Sequence, residues 1–523
     1  VMPRHTDRVV PPSPPPRDAD PLAPDVWGFA DTKFQILPNG NVSLSGRRYA
    51  LAGLELPELL PWVERVMDIK VPRSGLLESR YPPTVPAAKA CDEFRASVAL
   101  QIGAHYVTQD PLERLRHGHG QTLEEMYRVK HDVLPRVPDV VLFPGSEADV
   151  VAIVDAARVH NVCLIPYGGG TNVTDALRCP VEEPRPIASV DLSRMNRIRW
   201  VDPTNQLACI EAGAVGRHLQ AQLAQLGFTL GHEPDSVEFS TLGGWIATQA
   251  SGMKKNRYGN IEDIVLDVHA VTPLGVLTRN VVPPRESVGV DARRWMLGSE
   301  GTLGIITHAV VRIFPLPEVQ RYDAILFPSF ERGFEFLQQL TRSRAIPASV
   351  RLVDNLQFQL SQTLKPRAEG LQALKHRFEK WVVTRLKHFD PDEMVACTLV
   401  YEGSAAEVAH QQRTVERLAA AHGGMRAGAE NGRKGYELTF GIAYIRDFVM
   451  KLRVMGESFE TSVAWSDALE LCERVKRRVF LEHAARELPG RPFITCRITQ
   501  LYQTGVAVYF YLGFGVEGVA DPL

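Results

Sequence analysis

At 523 residues the chain is long enough for about two to four domains with ample core. Its 45% hydrophobic and 23% charged residues are those of a globular protein, and a formal net charge of −2 provides no global field to gather nucleic acid or an anionic membrane. Seven scattered cysteines without a CxxC spacing point to a reduced compartment and no structural metal.

No apolar run reaches the ~20 residues of a spanning helix; the nearest, Gly505 to Val516, reads as a core strand. The chain starts at Val1 rather than at a methionine, as expected of a removed or trimmed leader, and no targeting signal is visible in it.

Residues 1–26 are Pro-rich (Pro11, Pro12, Pro14, Pro15, Pro16) and read as a flexible arm. Residues 27–134 read as a mainly helical N-terminal region, with amphipathic spacing over Leu56–Met67 and a helix opening in Gln121–Tyr127. Within it, Arg116-His117-Gly118-His119-Gly120 alternates histidine with glycine but has no third ligand nearby. It therefore reads as a turn near a domain junction rather than a metal site.

From Pro138 an α/β rhythm sets in. Asp139–Pro144 is a short buried strand, and Glu147–His160 is a helix with Val150, Val151, Val154 and Ala157 on one face. A second strand, from Cys163, ends in Pro166-Tyr167-Gly168-Gly169-Gly170-Thr171-Asn172. Three glycines let the backbone present its N–H groups as a nest for an anion such as phosphate or pyrophosphate. The dinucleotide fingerprint is excluded, because Val173 stands where its last glycine belongs. The P-loop is excluded because Thr171-Asn172 replaces its Lys-Ser/Thr pair. Further strands are expected at Ile187–Asp191, Leu207–Ala212 and Val265–Thr272, with a helix at Gly216–Leu226 capped by Gly227.

Two more donor-rich stretches follow. One is Glu233-Pro234-Asp235-Ser236-Val237-Glu238-Phe239-Ser240-Thr241, continuing through Thr248 to Ala250-Ser251-Gly252. The other is Gly298-Ser299-Glu300-Gly301-Thr302-Leu303-Gly304-Ile305-Ile306. One such loop is usually a turn, whereas three suggest one large polar ligand. Lys254, Lys255 and Arg257 read as a solvated basic edge. Beyond Pro315-Leu316-Pro317 a second domain begins, with helices at Phe330–Ser343 and Ala405–His422 and a strand at Val395–Glu402.

The three loops together resemble the FAD-binding half of the vanillyl-alcohol-oxidase-type (PCMH-type) flavoproteins. His232–Ser236, Ala250–Asn256, Ala443-Tyr444-Ile445-Arg446-Asp447, Gly456–Thr461 and Tyr509-Phe510-Tyr511 narrow the likeness to the alkyldihydroxyacetonephosphate synthase family, from about Trp27 to Leu523. The resemblance implies an α+β fold: a two-subdomain FAD-binding domain over 135–316, an α+β cap and substrate domain over 317–523, and the helical N-terminal region. It implies non-covalent FAD, since no histidine stands in the glycine loop to tether it. The cofactor would rest on Pro166–Asn172, on Pro234, Asp235, Ser236, Ser240, Thr241, Thr248, Ala250 and Ser251, and on Glu300–Ile306.

The implied reaction belongs to ether-lipid biosynthesis. It exchanges the acyl group of acyl-dihydroxyacetone phosphate for a long-chain fatty alcohol, through a covalent adduct at flavin N5 and with no net redox change. Three residues map onto the family's working positions: Tyr509 as acid/base, Arg446 gripping the substrate phosphate, and Arg351 supporting the site from the cap. A tyrosine with an ordinary pKa near ~10 needs positive charge or hydrogen bonds at its oxygen for that role. The plainer readings are an aromatic strand residue for Tyr509 and a salt bridge to Asp447 for Arg446.

The resemblance further implies a homodimer in the peroxisome or glycosome, in peripheral contact with the luminal side of a membrane, and the dihydroxyacetone-phosphate acyltransferase as a further partner. A histidine-rich segment that follows this region in the family has no counterpart before Leu523; if it is truly missing, FAD binding with severely impaired turnover is expected. Two alternatives stay open. An FAD-dependent D-2-hydroxy-acid dehydrogenase would carry metal-ligand histidines where Val506–Leu512 stands, and a non-catalytic flavin-binding scaffold would not turn over.

Overall fold

A computed structural model describes residues 8–16, 19–279, 283–285, 287, 289–366 and 389–523; parts of the Pro-rich stretch therefore lie outside the described residues. The chain forms two compact units. Unit 1 comprises Val1–Asp25 with Ser79–Leu316, and unit 2 comprises Val26–Glu78 with Pro317–Leu523.

Unit 1 holds two main sheets. In the four-stranded one, Val140–Leu142, Ile187–Asp191 and Cys163–Tyr167 run parallel, and Val107–Thr108 adds an antiparallel edge. The helix Glu147–His160 makes the crossover from Val140–Leu142 to the parallel strand Cys163–Tyr167, with Ile187–Asp191 between them. Ser146 starts this helix by accepting the N–H of Asp149 at 3.1 Å, and Asn161 ends it in the left-handed conformation at φ 52°. The five-stranded sheet is antiparallel, in the order Gly275–Leu277, Val265–Thr272, Ile305–Arg312, Leu207–Glu211, Ile198–Asp202. These are the two α+β subdomains, with strand and helix bounds within a residue or two of the sequence expectation.

Two expectations change here. The described part of the Pro-rich arm is docked: Val9 exchanges two backbone hydrogen bonds with Val201, and Gln222 donates to the Pro12 carbonyl. Residues 27–134 do not form one helical region. Residues 27–78 go with unit 2 and carry the sheet Phe34–Ile36, Val42–Leu44, Glu55–Leu56 beside the helix Leu59–Met67. Residues 79–134 go with unit 1 and carry the helices Asp92–Ile102, Pro111–Arg116 and Leu123–His131. The strands were hidden by their brevity: each has two or three residues, too short to show a period of two.

Unit 2 is built on a seven-stranded antiparallel sheet. Its order is Met425–Arg426, Val319–Phe327, Val395–Gly403, Ser349–Val353, Phe493–Leu501, Gly505–Gly515, Val454–Ala464. One face carries Val350, Leu352, Ile494, Cys496, Ile498, Val508 and Phe510, all buried in one core cluster. Three helices with apolar stripes close that face: Phe330–Arg342, Ala405–Ala421 and Ala468–Ala485. Among the described residues no helix is long and apolar enough to cross a membrane.

Candidate cofactor and active site

In unit 1 the three donor-rich stretches converge on the end of the strand Cys163–Tyr167. A Cβ built on Gly169 would lie 2.3 Å from the Phe239 carbonyl oxygen and 2.9 Å from the Ser240 Cα. One on Gly168 would lie 2.6 Å from the Thr241 Oγ1. A side chain at either position would force the first stretch off the second. The third stretch closes from the other side, where a Cβ on Gly301 would reach Pro166 Cδ at 2.9 Å. Gly298 and Glu300 donate to the carbonyls of Ile246 and Ala247, fixing that stretch to the helix Leu242–Thr248.

The donors divide into spent and open. The hydroxyls of Ser240, Thr248 and Thr302 donate to the carbonyls of Ser236, Gly244 and Ser299, so these side chains shape the loops rather than offer a proton. Ile305 and Ile306 open a strand paired with Val271 and Ala270, and Leu303 is exposed. Pro234 and Ser236 accept the N–H groups of Val237 and Phe239, turning their segment tightly, while Ala250 donates to Trp245. Among the described residues, the N–H groups of Gly169, Gly170, Thr171 and Asn172 donate to no carbonyl. Four successive open amides, one on a glycine at φ 66°, suit a pyrophosphate. His232 adds a buried imidazole with both ring nitrogens unbonded, held neutral because burial pushes its pKa down to about 3.

Sequence reasoning missed what supports the loop. The segment Arg116–Gly120 is more than a junction turn. His117 is fully buried, with Nε2 2.8 Å from Asp191 Oδ2, Nδ1 2.7 Å from the Glu113 carbonyl, and its ring 4.2 Å from that of Tyr167. Gln121 N–H donates to the Asn172 carbonyl, and a Cβ on Gly120 would lie 2.6 Å from that same oxygen. The basic edge also differs from expectation. Lys254 is buried in an ion pair with Glu233 at 2.7 Å, burial pushes Lys255 down to about 8, and Arg257 stays exposed.

In unit 2 the second face of the large sheet carries the polar residues. Arg497 stands directly opposite Tyr509 on one side and Val353 on the other, and Arg351 lies two residues before Val353. Period-two alternation therefore places Arg351, Arg497, Tyr509 and Tyr511 on one face, away from the core. The Arg497 guanidinium sits 4.5 Å from the Tyr509 ring centre and 5.0 Å from that of Tyr511. Tyr509 Oη is 2.9 Å from Ser458 Oγ. These are the positive charge and the hydrogen bond that a proton-handling tyrosine requires.

The helix Ala429–Lys451 supplies the other contacts of this face. A Cβ on Gly435 would lie 2.7 Å from Thr398, the cross-strand neighbour of Arg351, so this glycine admits the helix close to the sheet. Thr439 Oγ1 accepts from Arg351 Nη1 at 2.8 Å, which meets part of the cost of burying a guanidinium that is 6% exposed. Arg446 lies two turns further along the same helical stripe, about 10 Å along the axis. Its Nη2 is 3.3 Å from Asp447 Oδ2, while that same oxygen accepts the Trp27 N–H at 2.9 Å. The salt bridge expected as the plain reading of Arg446 is therefore present.

Comparison with known proteins agrees with both units. The FAD binding domain family matches residues 138–279, and the C-terminal domain of FAD linked oxidases matches 316–523. An alkyldihydroxyacetonephosphate synthase of Caenorhabditis elegans is 41% identical over 506 residues, covering 95% of this chain and 83% of that protein. A crystal structure of an alkyldihydroxyacetonephosphate synthase superposes with a TM-score of 0.85 at 29% identity, over 94% of this chain and 89% of the other. The 4-ethylphenol oxidase of Gulosibacter chungangensis, at 15% identity and a TM-score of 0.60 over 84% and 86% of the two chains, shares the fold alone. The cofactor is FAD, and the chain belongs to the alkyldihydroxyacetonephosphate synthase family, FAD-dependent alkyl transferases built on the fold of the FAD-linked oxidases.

Proposed function

We propose that this protein makes 1-alkyl-dihydroxyacetone phosphate from 1-acyl-dihydroxyacetone phosphate and a long-chain fatty alcohol, releasing the fatty acid with no net redox change. The observation that carries this reading is the cationic, tyrosine-bearing face of the unit 2 sheet, in a chain 41% identical to a synthase over nearly its whole length.

FAD, held non-covalently on the glycine loop, supplies the covalent chemistry of the exchange through its N5 atom. The residues of the chain do the rest. Arg446 presents a planar fork to the phosphate, in a geometry that lysine cannot reproduce. Arg351, buried and oriented by Thr439, adds a second cation. Tyr509 carries the proton that the exchange must remove and return. The Arg497 guanidinium lies over its ring, and Ser458 holds the oxygen in place.

The test is an exchange assay. FAD-loaded protein given acyl-dihydroxyacetone phosphate and labelled hexadecanol is expected to yield labelled alkyl product and free fatty acid in equal amounts. D-Lactate should leave the flavin oxidised under anaerobic conditions. Bleaching by D-lactate without alcohol incorporation would establish the dehydrogenase instead, and flavin-loaded protein inert to both would establish a scaffold.

A further inference from the structure

Away from the glycine loop, the five-stranded sheet of unit 1 carries a cluster that the reaction does not use. His269 and His308 are directly opposed across the strands Val265–Thr272 and Ile305–Arg312, with rings stacked 3.9 Å apart at 24°. Glu147, the first residue of the helix Glu147–His160, reaches them from outside the sheet. One donor atom from each of the three lies within 4.8 Å of the others. We propose that Glu147, His269 and His308 form a binding site for a divalent transition cation of the Zn2+ class.

The donor set and its spacing argue for it. Two imidazoles and one carboxylate are a common zinc ligand set, leaving a fourth tetrahedral position for water. His308 Nδ1 and Glu147 Oε2 are 3.4 Å apart, and two ligands of one tetrahedral cation at ~2.0–2.1 Å from the metal are separated by about that distance. Glu147 is only partly buried, so its side chain is able to swing the remaining way.

The outer shell agrees as well. Metal ligands are usually held by further polar groups. Here the Thr307 hydroxyl donates to Glu147 Oε2, and Asp267 Oδ2 lies 3.2 Å from His269 Nε2. The cations facing the cluster are themselves matched: Arg199 pairs with Glu211 at 3.2 Å and Arg279 with Asp291 at 3.2 Å. A bound cation would tie the start of the helix to two central strands, which marks the site as a structural brace.

The experiment uses the whole FAD-loaded chain, stripped with a chelator, dialysed against graded Zn2+ and measured for metal per chain by mass spectrometry. A single Zn2+ per chain is expected, with a higher thermal midpoint when it is bound. His308 is buried and its replacement risks the fold, so the variants are Glu147→Gln and His269→Gln. Each is expected to keep its flavin and to bind Zn2+ at least about 10-fold more weakly. Absence of retained Zn2+ in the parent would overturn the proposal. Retention equal to the parent's in both variants would do the same, placing the metal on cysteines or surface histidines.

Discussion

The two units present their polar groups in opposite ways. Unit 1 does it with backbone: its site is a set of glycines and open amides, and the hydroxyls nearby are spent on fixing loop shape. Unit 2 does it with side chains: Arg351, Arg497 and Tyr509 project from one face of a sheet whose other face is core. A backbone site is broken by adding atoms, and a side-chain site by removing them. The contrast therefore assigns a different substitution, and a different readout, to each unit.

The largest effect is expected at Tyr509. Tyr509→Phe removes the proposed proton carrier and its hydrogen bond to Ser458, while the ring stays over Arg497. Alkyl exchange should fall by about 10²–10⁴-fold, the usual worth of general acid/base catalysis, while flavin content stays at the parent level. Lost flavin in Y509F would erase the distinction between the units; unchanged turnover would remove Tyr509 from the reaction.

Next comes Asp354, which staples two strands of that sheet together. Only two residue pairs join Ser349–Val353 to Phe493–Leu501 in register, Leu352 with Ile498 and Val353 with Arg497. The Asp354 carboxylate extends that join, accepting from the Cys496 N–H at 2.9 Å and from the Thr495 hydroxyl. It also caps the next helix through the Gln357 N–H at 2.9 Å. Asp354→Ala leaves the Cys496 and Gln357 N–H groups and the Thr495 hydroxyl without their acceptor and removes the partner of Lys476, 2.7 Å away. A loss of about 3–5 kcal/mol in unfolding free energy is expected by urea titration. A loss below about 1 kcal/mol would show that the two strands need no staple.

The backbone site should respond to an added side chain. Gly169→Val places its Cβ within 2.3 Å of a carbonyl oxygen that cannot move without shifting the second loop. Overpacking of this kind costs about 1–3 kcal/mol, so FAD should bind about 10–100-fold more weakly. Bound flavin per chain after gel filtration reports it. Parent-level loading of G169V would mean that the loop does not carry the cofactor.

The same contrast explains what could be read in advance. The glycine loop, its flanking strands and the helix between them were legible because their signals are local: consecutive glycines, a short apolar strand, an apolar face at helical spacing. The pairing of Arg497 with Tyr509 was not, because nothing local marks it; only the strand register places them opposite each other. Arg497 lies in Phe493–Leu501 amid the core residues Cys496 and Ile498, and looks like an interruption until the alternation is known. His117 escaped for a related reason. Its partner Asp191 closes a strand elsewhere in the sequence, so a histidine between glycines had no visible use. Tyr509 and Arg446 were singled out by resemblance, not by pattern.

The smallest effect sharpens the side-chain half of the comparison through pH. Burial lowers the Lys476 pKa, but attraction to Asp354 outweighs it, so the folded value is raised above that of free lysine. A raised folded pKa means that the pair's stabilisation is fully present below the unfolded value near ~10.4, and is lost as pH climbs through the higher folded one. Lys476 is a third exposed, so solvent screens the pair and its removal in Lys476→Met should cost only about 1 kcal/mol. The stability gap between parent and K476M, from urea titrations between pH 7 and 11, is expected to stay level up to about pH 10 and to shrink above it. A gap that widens with pH would reverse the sign and mean that Asp354 is held by its backbone and hydroxyl donors alone.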